Sequence, residues 1–118
     1  SNLITFVDAN GKQLDGTTEQ ICRLGSIEKK FESFGFNAIT VEDGNDTEQI
    51  YNAIMSAKAE KGRPSAIVLH TVKGAGIKRY TKMANCHSVA VGKDELEEIL
   101  RELDEKRDQI RGCRNAEN

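Results

Sequence analysis

The chain has 118 residues, 37% of them apolar and none tryptophan, enough for one small domain with an ordinary to lean core. Seventeen basic residues against nineteen acidic ones leave a net charge of −2, which gives no electrostatic case for a nucleic-acid or anionic-membrane partner. No apolar run nears the roughly 20 residues that span a bilayer, and no basic-then-apolar leader opens the chain, so a cytoplasmic protein is expected.

The first element is an apolar strand, Leu3–Val7, which runs into a small, polar, glycine-punctuated loop from Asp8 to Gly16. A short helix follows, capped by Ser26 and stopped by Gly35, with Ile27, Phe31 and Phe34 as its apolar face. The second strand is Ala38–Val41. A stronger helix comes next, capped by Asn45 or Asp46, in which Ile50, Ala53, Ile54 and Ala57 recur at helical spacing until Lys61-Gly62. Ala66–His70 is the third strand. Beyond it lies a glycine- and lysine-rich stretch, Lys73–Ala84, then a helix from Lys93 to Arg111 with a stripe of Leu96, Ile99, Leu100 and Leu103. The residues from Gly112 to Asn118 are expected to form a frayed polar tail.

Three apolar strands separated by helices predict βαβ units, hence an α/β fold built on a partial parallel sheet of about three strands with flanking helices. Unbroken apolar character in such strands is what burial on both faces requires. A sheet this small leaves edges with unpaired backbone groups, so pairing with a further chain segment or a partner is expected. Cys22, Cys86 and Cys113 are odd in number and lack Cys-x-x-Cys spacing, which disfavours both a disulfide framework and a zinc site.

The loop after the first strand carries the chemistry. In open parallel sheets, ligands bind outside the carboxyl ends of the strands. The amide oxygen of Asn10 is a neutral hard ligand of the kind Mg²⁺ or Ca²⁺ accepts, the carbonyl of Lys12 offers another, and Gly11 lets the chain bend between them. An ordinary Asn-Gly and Asp-Gly turn is the competing reading. Past the third strand, Thr71-Val72-Lys73-Gly74-Ala75-Gly76 brings glycines and one cation together, but it matches neither a P-loop nor a dinucleotide fingerprint. Of the two histidines, His70 ends an apolar strand and reads as structural, while His87 follows a flexible stretch and can titrate near neutrality.

The string Asp8-Ala9-Asn10-Gly11-Lys12-Gln13-Leu14-Asp15-Gly16 resembles the Asp-x-Asn-Gly-x-x-(Ile/Leu)-Asp-Gly motif of the transketolase family. Phe34-Gly35-Phe36, the stretch Pro64–Gly76, and His87 ahead of an acidic helix follow in that family's order. The resemblance implies a thiamine diphosphate-binding fold, with residues 1–111 forming the later part of the cofactor-binding domain. It implies transfer of a two-carbon ketol unit between sugar phosphates, with thiamine diphosphate as electron sink and Mg²⁺ or Ca²⁺ as metal.

By the same resemblance Asn10 and Lys12 are the metal ligands, and Asn10, Gly11, Leu14 and Lys73 are cofactor-binding residues. His87 is then the catalytic histidine at the substrate funnel, although Ser88 replaces the glycine that usually follows it. Asp8 and Asp15 would shape the loop through side-chain bonds to the nearby backbone. The family's Gly-Asp-Gly, which carries the charged metal ligand, does not occur. The chain is therefore expected to act as part of a larger transketolase polypeptide or with a partner subunit, as a homo-oligomer, and to be inactive alone, with the segment Gly11–Cys22 mobile until ligand orders it. Other thiamine diphosphate enzymes, namely deoxyxylulose-phosphate synthases and E1 components of oxo-acid dehydrogenases, share the metal motif, and a non-catalytic assembly module is a further alternative.

Overall fold

The computed structural model describes residues 2–116, with side chains described as far as Cys113. Its described residues divide at Lys73 into two units. The first holds β1 (Ile4–Asp8), a hairpin of β2 (Lys12–Gln13) and β3 (Gly16–Thr17), α1 (Thr18–Ile21), α2 (Ile27–Ser33), β4 (Asn37–Val41), α3 (Thr47–Ala59) and β5 (Ser65–Leu69). The second holds α4 (Lys78–Lys82) and α5 (Lys93–Ala116).

β1, β5 and β4 form a parallel sheet in that order, in register from Ile4, Ser65 and Asn37 to Asp8, Leu69 and Val41. The last strand in sequence is thus the central one, and its composition explains why. Ser65, Ala66, Ile67 and Val68 are all at most 1% exposed, as a strand covered on both faces must be. On one face Ile67, Val41, Ile39 and Ile4 pack against α3, where Ala53 and Ala57 are small enough to let the helix sit close to the sheet. Alternation turns Ala66 and Val68 to the other face, and α2, packed on β4 and β5, covers it. Each fully buried Ile or Val is worth about 1.5–3 kcal/mol in transfer free energy.

The helix ends follow their sequence signals. Ser26 caps α2 by accepting from the Lys29 N–H at 3.1 Å, and Asp46, the second of the two residues expected, caps α3 by accepting from the Glu48 N–H at 2.8 Å. Three expectations need correction. Phe34, expected on the buried face of α2, is 80% exposed; Phe36, beyond the helix end, instead sets its ring edge-on to Phe31 with centroids 5.2 Å apart. The segment Gly11–Cys22, expected to be a loop that stays mobile until ligand orders it, carries the β2–β3 hairpin and α1, whose Thr17 cap and Gln20 satisfy each other in a capping box. The helix expected to end at Arg111 continues through Gly112 to Ala116, so the polar tail is helical that far; Glu117 and Asn118 lie outside the described residues.

In the second unit the turn at Gly74–Ile77 is fastened to α5 by polar groups. Lys78 N–H donates to Glu102 Oε1 at 3.2 Å, Lys106 Nζ bonds the carbonyl of Gly76, and Arg79 lies 3.1 Å from Glu95. Of the expected α5 stripe, Ile99 is buried, whereas Leu96, Leu100 and Leu103 remain 40–51% exposed. Among the described residues no helix is long and apolar enough to cross a membrane.

Candidate functional site

The carboxyl ends of β1 and β5 lie side by side, and the chain leaving β1 folds over them. Two contacts fix this end. Thr71 Oγ1 donates to Asp8 Oδ1, and the Ala9 N–H donates to the Leu69 carbonyl at 2.9 Å. Asp8 therefore ties two strand ends together across the sheet, in place of the local backbone bond expected of it.

Past Ala9 the chain makes its turn. Asn10 Oδ1 accepts from the Lys12 N–H at 2.9 Å, Gly11 takes φ +70°, a left-handed conformation that L side chains rarely adopt, and the Gly11 carbonyl accepts from Thr18 N–H at 3.0 Å. The turn reading and the ligand reading thus meet on one atom. An amide oxygen has two lone pairs, and the turn uses one of them.

Asn10, Gly11 and Lys12 line a cleft of about 280 Å³ together with Asp8, Glu19, Leu24 and His70. That volume is near the lower end of the range for ligand pockets, about 300–1,000 Å³. Among the described residues no three His, Cys, Asp or Glu side chains cluster as a metal cage. The oxygens at the turn are neutral, of the kind a hard divalent cation accepts, and the two carboxylates in the cleft lining, Asp8 and Glu19, meet the Thr71 hydroxyl and the Arg23 guanidinium.

His70, read from the sequence as structural, lines this cleft. Its Nε2 lies 3.6 Å from Glu28 Oε1, and the imidazole is 45% exposed. Glu28 is held below the usual carboxylate range, first by its own backbone N–H and next by the Ser26 hydroxyl, which donates to Oε2 at 2.8 Å. No sequence signal joins residues 28 and 70; only the parallel crossover brings them together.

Leu14 and Lys73, in the same unit as the cleft, are not among its lining residues. Leu14 sits at the tip of the β2–β3 hairpin and is 60% exposed. Lys73 is the last residue of the first unit, and His87 belongs to the second, where its backbone N–H donates to Asn85 Oδ1 at 3.0 Å.

In open parallel α/β sheets, ligands are met outside the carboxyl ends of the strands, which is where this turn lies. The family profile described as "Transketolase, thiamine diphosphate binding domain" matches residues 1–110, and the chain belongs to the transketolase family. It is 41% identical over 75 residues to the 6-deoxy-6-sulfo-D-fructose transketolase subunit SqwG of Clostridium sp. (strain MSTE9), covering 64% of this chain and 27% of that protein. It is 38% identical over 95 residues to a transketolase of Nostoc sp., covering 80% of this chain and 14% of that one. The chain thus spans between about a seventh and a quarter of these two relatives. A crystal structure of a transketolase variant from Pichia stipitis superposes with a TM-score of 0.61 over 97% of this chain and 20% of its own, at 20% identity, which shows a shared fold.

Proposed function

We propose that the chain supplies the metal-facing part of a thiamine diphosphate site in an enzyme that transfers a two-carbon ketol unit between sugar phosphates. The observation that supports this best is the turn at the carboxyl end of β1, which sets Asn10 and Lys12 on one cleft wall beside the end of β5. In this reading Asn10 Oδ1 and the Lys12 carbonyl hold Mg²⁺, or Ca²⁺, through which the cofactor's diphosphate is bound. Gly11 allows the bend, Leu14 packs against the cofactor, and Lys73 adds a positive charge near it. His87 holds or moves a proton at a sugar hydroxyl in the substrate funnel. Thiamine diphosphate, when bound, supplies the electron sink that the chain's own side chains lack.

The charged metal ligand and the rest of the pocket come from the remainder of the polypeptide or from a partner subunit, within a homo-oligomer. The reaction belongs to sugar-phosphate interconversion of the pentose phosphate type, in the cytoplasm. Titration of thiamine diphosphate and Mg²⁺ into the full polypeptide tests the reading. Asn10→Ala should weaken both together, by at least the roughly 10–100-fold that even outer-shell partners of a metal are worth. Unchanged affinity for both would reduce Asn10 to a turn residue.

A further inference from the structure

Three consecutive residues past β5 are each held by a different neighbour. The His70 carbonyl accepts from the Gly44 N–H at 2.9 Å, the Thr71 hydroxyl donates to Asp8, and the Val72 N–H donates to Asn45 Oδ1 at 2.8 Å. Two of these partners come from the connection after β4, and that connection is built to deliver them. Gly44 is buried against the end of β5, where a Cβ would stand 2.7 Å from Thr71 Cγ2 and 2.9 Å from Leu69 Cβ. Asp43 accepts from the Asn45 N–H at 3.0 Å through its side chain and from the Asp46 N–H at 3.0 Å through its carbonyl. Because Asp46 caps α3, the Asn45 side chain is not needed there and reaches Val72 instead.

We propose that Asn45 is a positioning residue, which fixes the backbone at Val72 and through it holds Lys73 at the carboxyl edge of the sheet for the diphosphate of the cofactor; the ligand, though not the clasp, rests on the function proposed above. The strand ladder stops short of this point. β1 ends at Asp8 and β4 at Val41, both paired with Leu69. Past Leu69 side chains take over from the ladder, Asp8 from the β1 side and Asn45 from the β4 side. A junction fixed in this way is already ordered when ligand arrives, whereas a loose one must be ordered by the ligand, at a cost in affinity. Asn45 touches no ligand in this role and acts only through the backbone that carries Lys73.

Asn45→Ala in the full polypeptide, studied first without ligand and then with it, tests the proposal. Without ligand, amide exchange at Val72 should speed up about two- to tenfold, the worth of one ordinary hydrogen bond, while the first turn of α3, capped by Asp46, keeps its protection. Asn45→Asp retains an acceptor oxygen and should keep Val72 protected. Titration of thiamine diphosphate with Mg²⁺ should then show binding weakened by a similar factor in Asn45→Ala. Adding Asn45→Ala to Lys73→Ala should weaken it no further, since residues that act through one another are not additive. Unchanged exchange at Val72, or an equal loss of protection in α3, would overturn the clasp. Normal cofactor affinity in Asn45→Ala beside weakened affinity in Lys73→Ala would overturn the positioning role alone, as would additive losses in the double variant. Normal affinity in Lys73→Ala would overturn the role given to Lys73 and the proposal with it. Should Asn45→Ala fold poorly, Asn45→Gln, whose amide is displaced by one methylene, takes its place in each comparison.

Discussion

The amide oxygen of Asn10 accepts a hydrogen bond from the backbone N–H of Lys12 at 2.9 Å, so the residue proposed as a metal ligand also closes the turn that presents it. A substitution there is felt twice. Asn10→Asp retains an oxygen for the turn and, in the proposed site, an oxygen for the metal, while adding a charge where the diphosphate is proposed to lie. Its stability should stay within about 0.5 kcal/mol of the parent, as for other surface changes, while cofactor affinity shifts. Urea unfolding and a cofactor titration on the same protein check the two halves; a large loss of stability with normal cofactor affinity would make Asn10 a turn residue alone.

Gly44 is a packing position. A Cβ there would lie 2.7 Å from Thr71 Cγ2 and 2.9 Å from Leu69 Cβ, closer than carbon atoms approach, so the connection after β4 or the end of β5 must shift. Gly44→Ala should cost about 1–3 kcal/mol, as overpacking does. Equilibrium denaturation measures it, and a neutral result would show that the two connections are not pressed together.

Ile67 sits at the centre of the sheet with no exposed surface. Ile67→Ala removes three carbons from a site walled by α3 and two neighbouring strands, and should cost about 2–5 kcal/mol. Phe34→Ala, at 80% exposed, should cost a small fraction of that. Equal losses would mean that the two aromatic positions around Gly35 have been assigned the wrong way round.

Acid should destabilise the chain through carboxylates held below their ordinary range, Asp46 and Glu28 among them. Asp46 is held below its ordinary range chiefly by the Glu48 N–H, and Glu28 by its own backbone N–H and Ser26. Each binds its proton less readily folded than unfolded, so its contribution is complete above the ordinary carboxylate range and is lost as pH falls through the lowered folded value. Asp46→Asn keeps a capping oxygen but cannot titrate there. Its stability at neutral pH should change little, and its decline between pH 5 and 2 should be shallower than the parent's in denaturant midpoints taken across that range.

Under the proposed role, His87→Ala in the full polypeptide should lower kcat/KM on sugar phosphates by about 10²–10⁴-fold, the usual worth of general acid-base assistance, with cofactor affinity nearly intact. Steady-state kinetics with a cofactor titration separates the two effects. Full activity with an unchanged pH–rate profile would make His87 a structural residue.

The sheet and the two larger helices of the first unit were legible because their signals are local. Each strand run lies within one residue of its position in the fold, and Ser26 and Asp46 cap the helices they precede. Phe34 and Phe36 were not separable in sequence, since both flank Gly35 and only the geometry past the helix end decides which turns inward. The capping box Thr17-Thr18-Glu19-Gln20 was visible as a pattern, but the polar loop around it masked so short a helix. Asn10, Gly11 and Lys12 were legible as a motif at a strand end. His70 was not, because its place in the cleft depends on β5 inserting between β1 and β4 and on Glu28 arriving from a different crossover.

The central claim is that this turn holds the metal. The most direct measurement is anomalous diffraction from crystals of the full polypeptide loaded with Mn²⁺ and thiamine diphosphate. The anomalous peak is expected within about 2.0–2.6 Å of both Asn10 Oδ1 and the Lys12 carbonyl oxygen, the coordination range of hard divalent cations. A metal bound to the cofactor in a site that contains neither atom would contradict it.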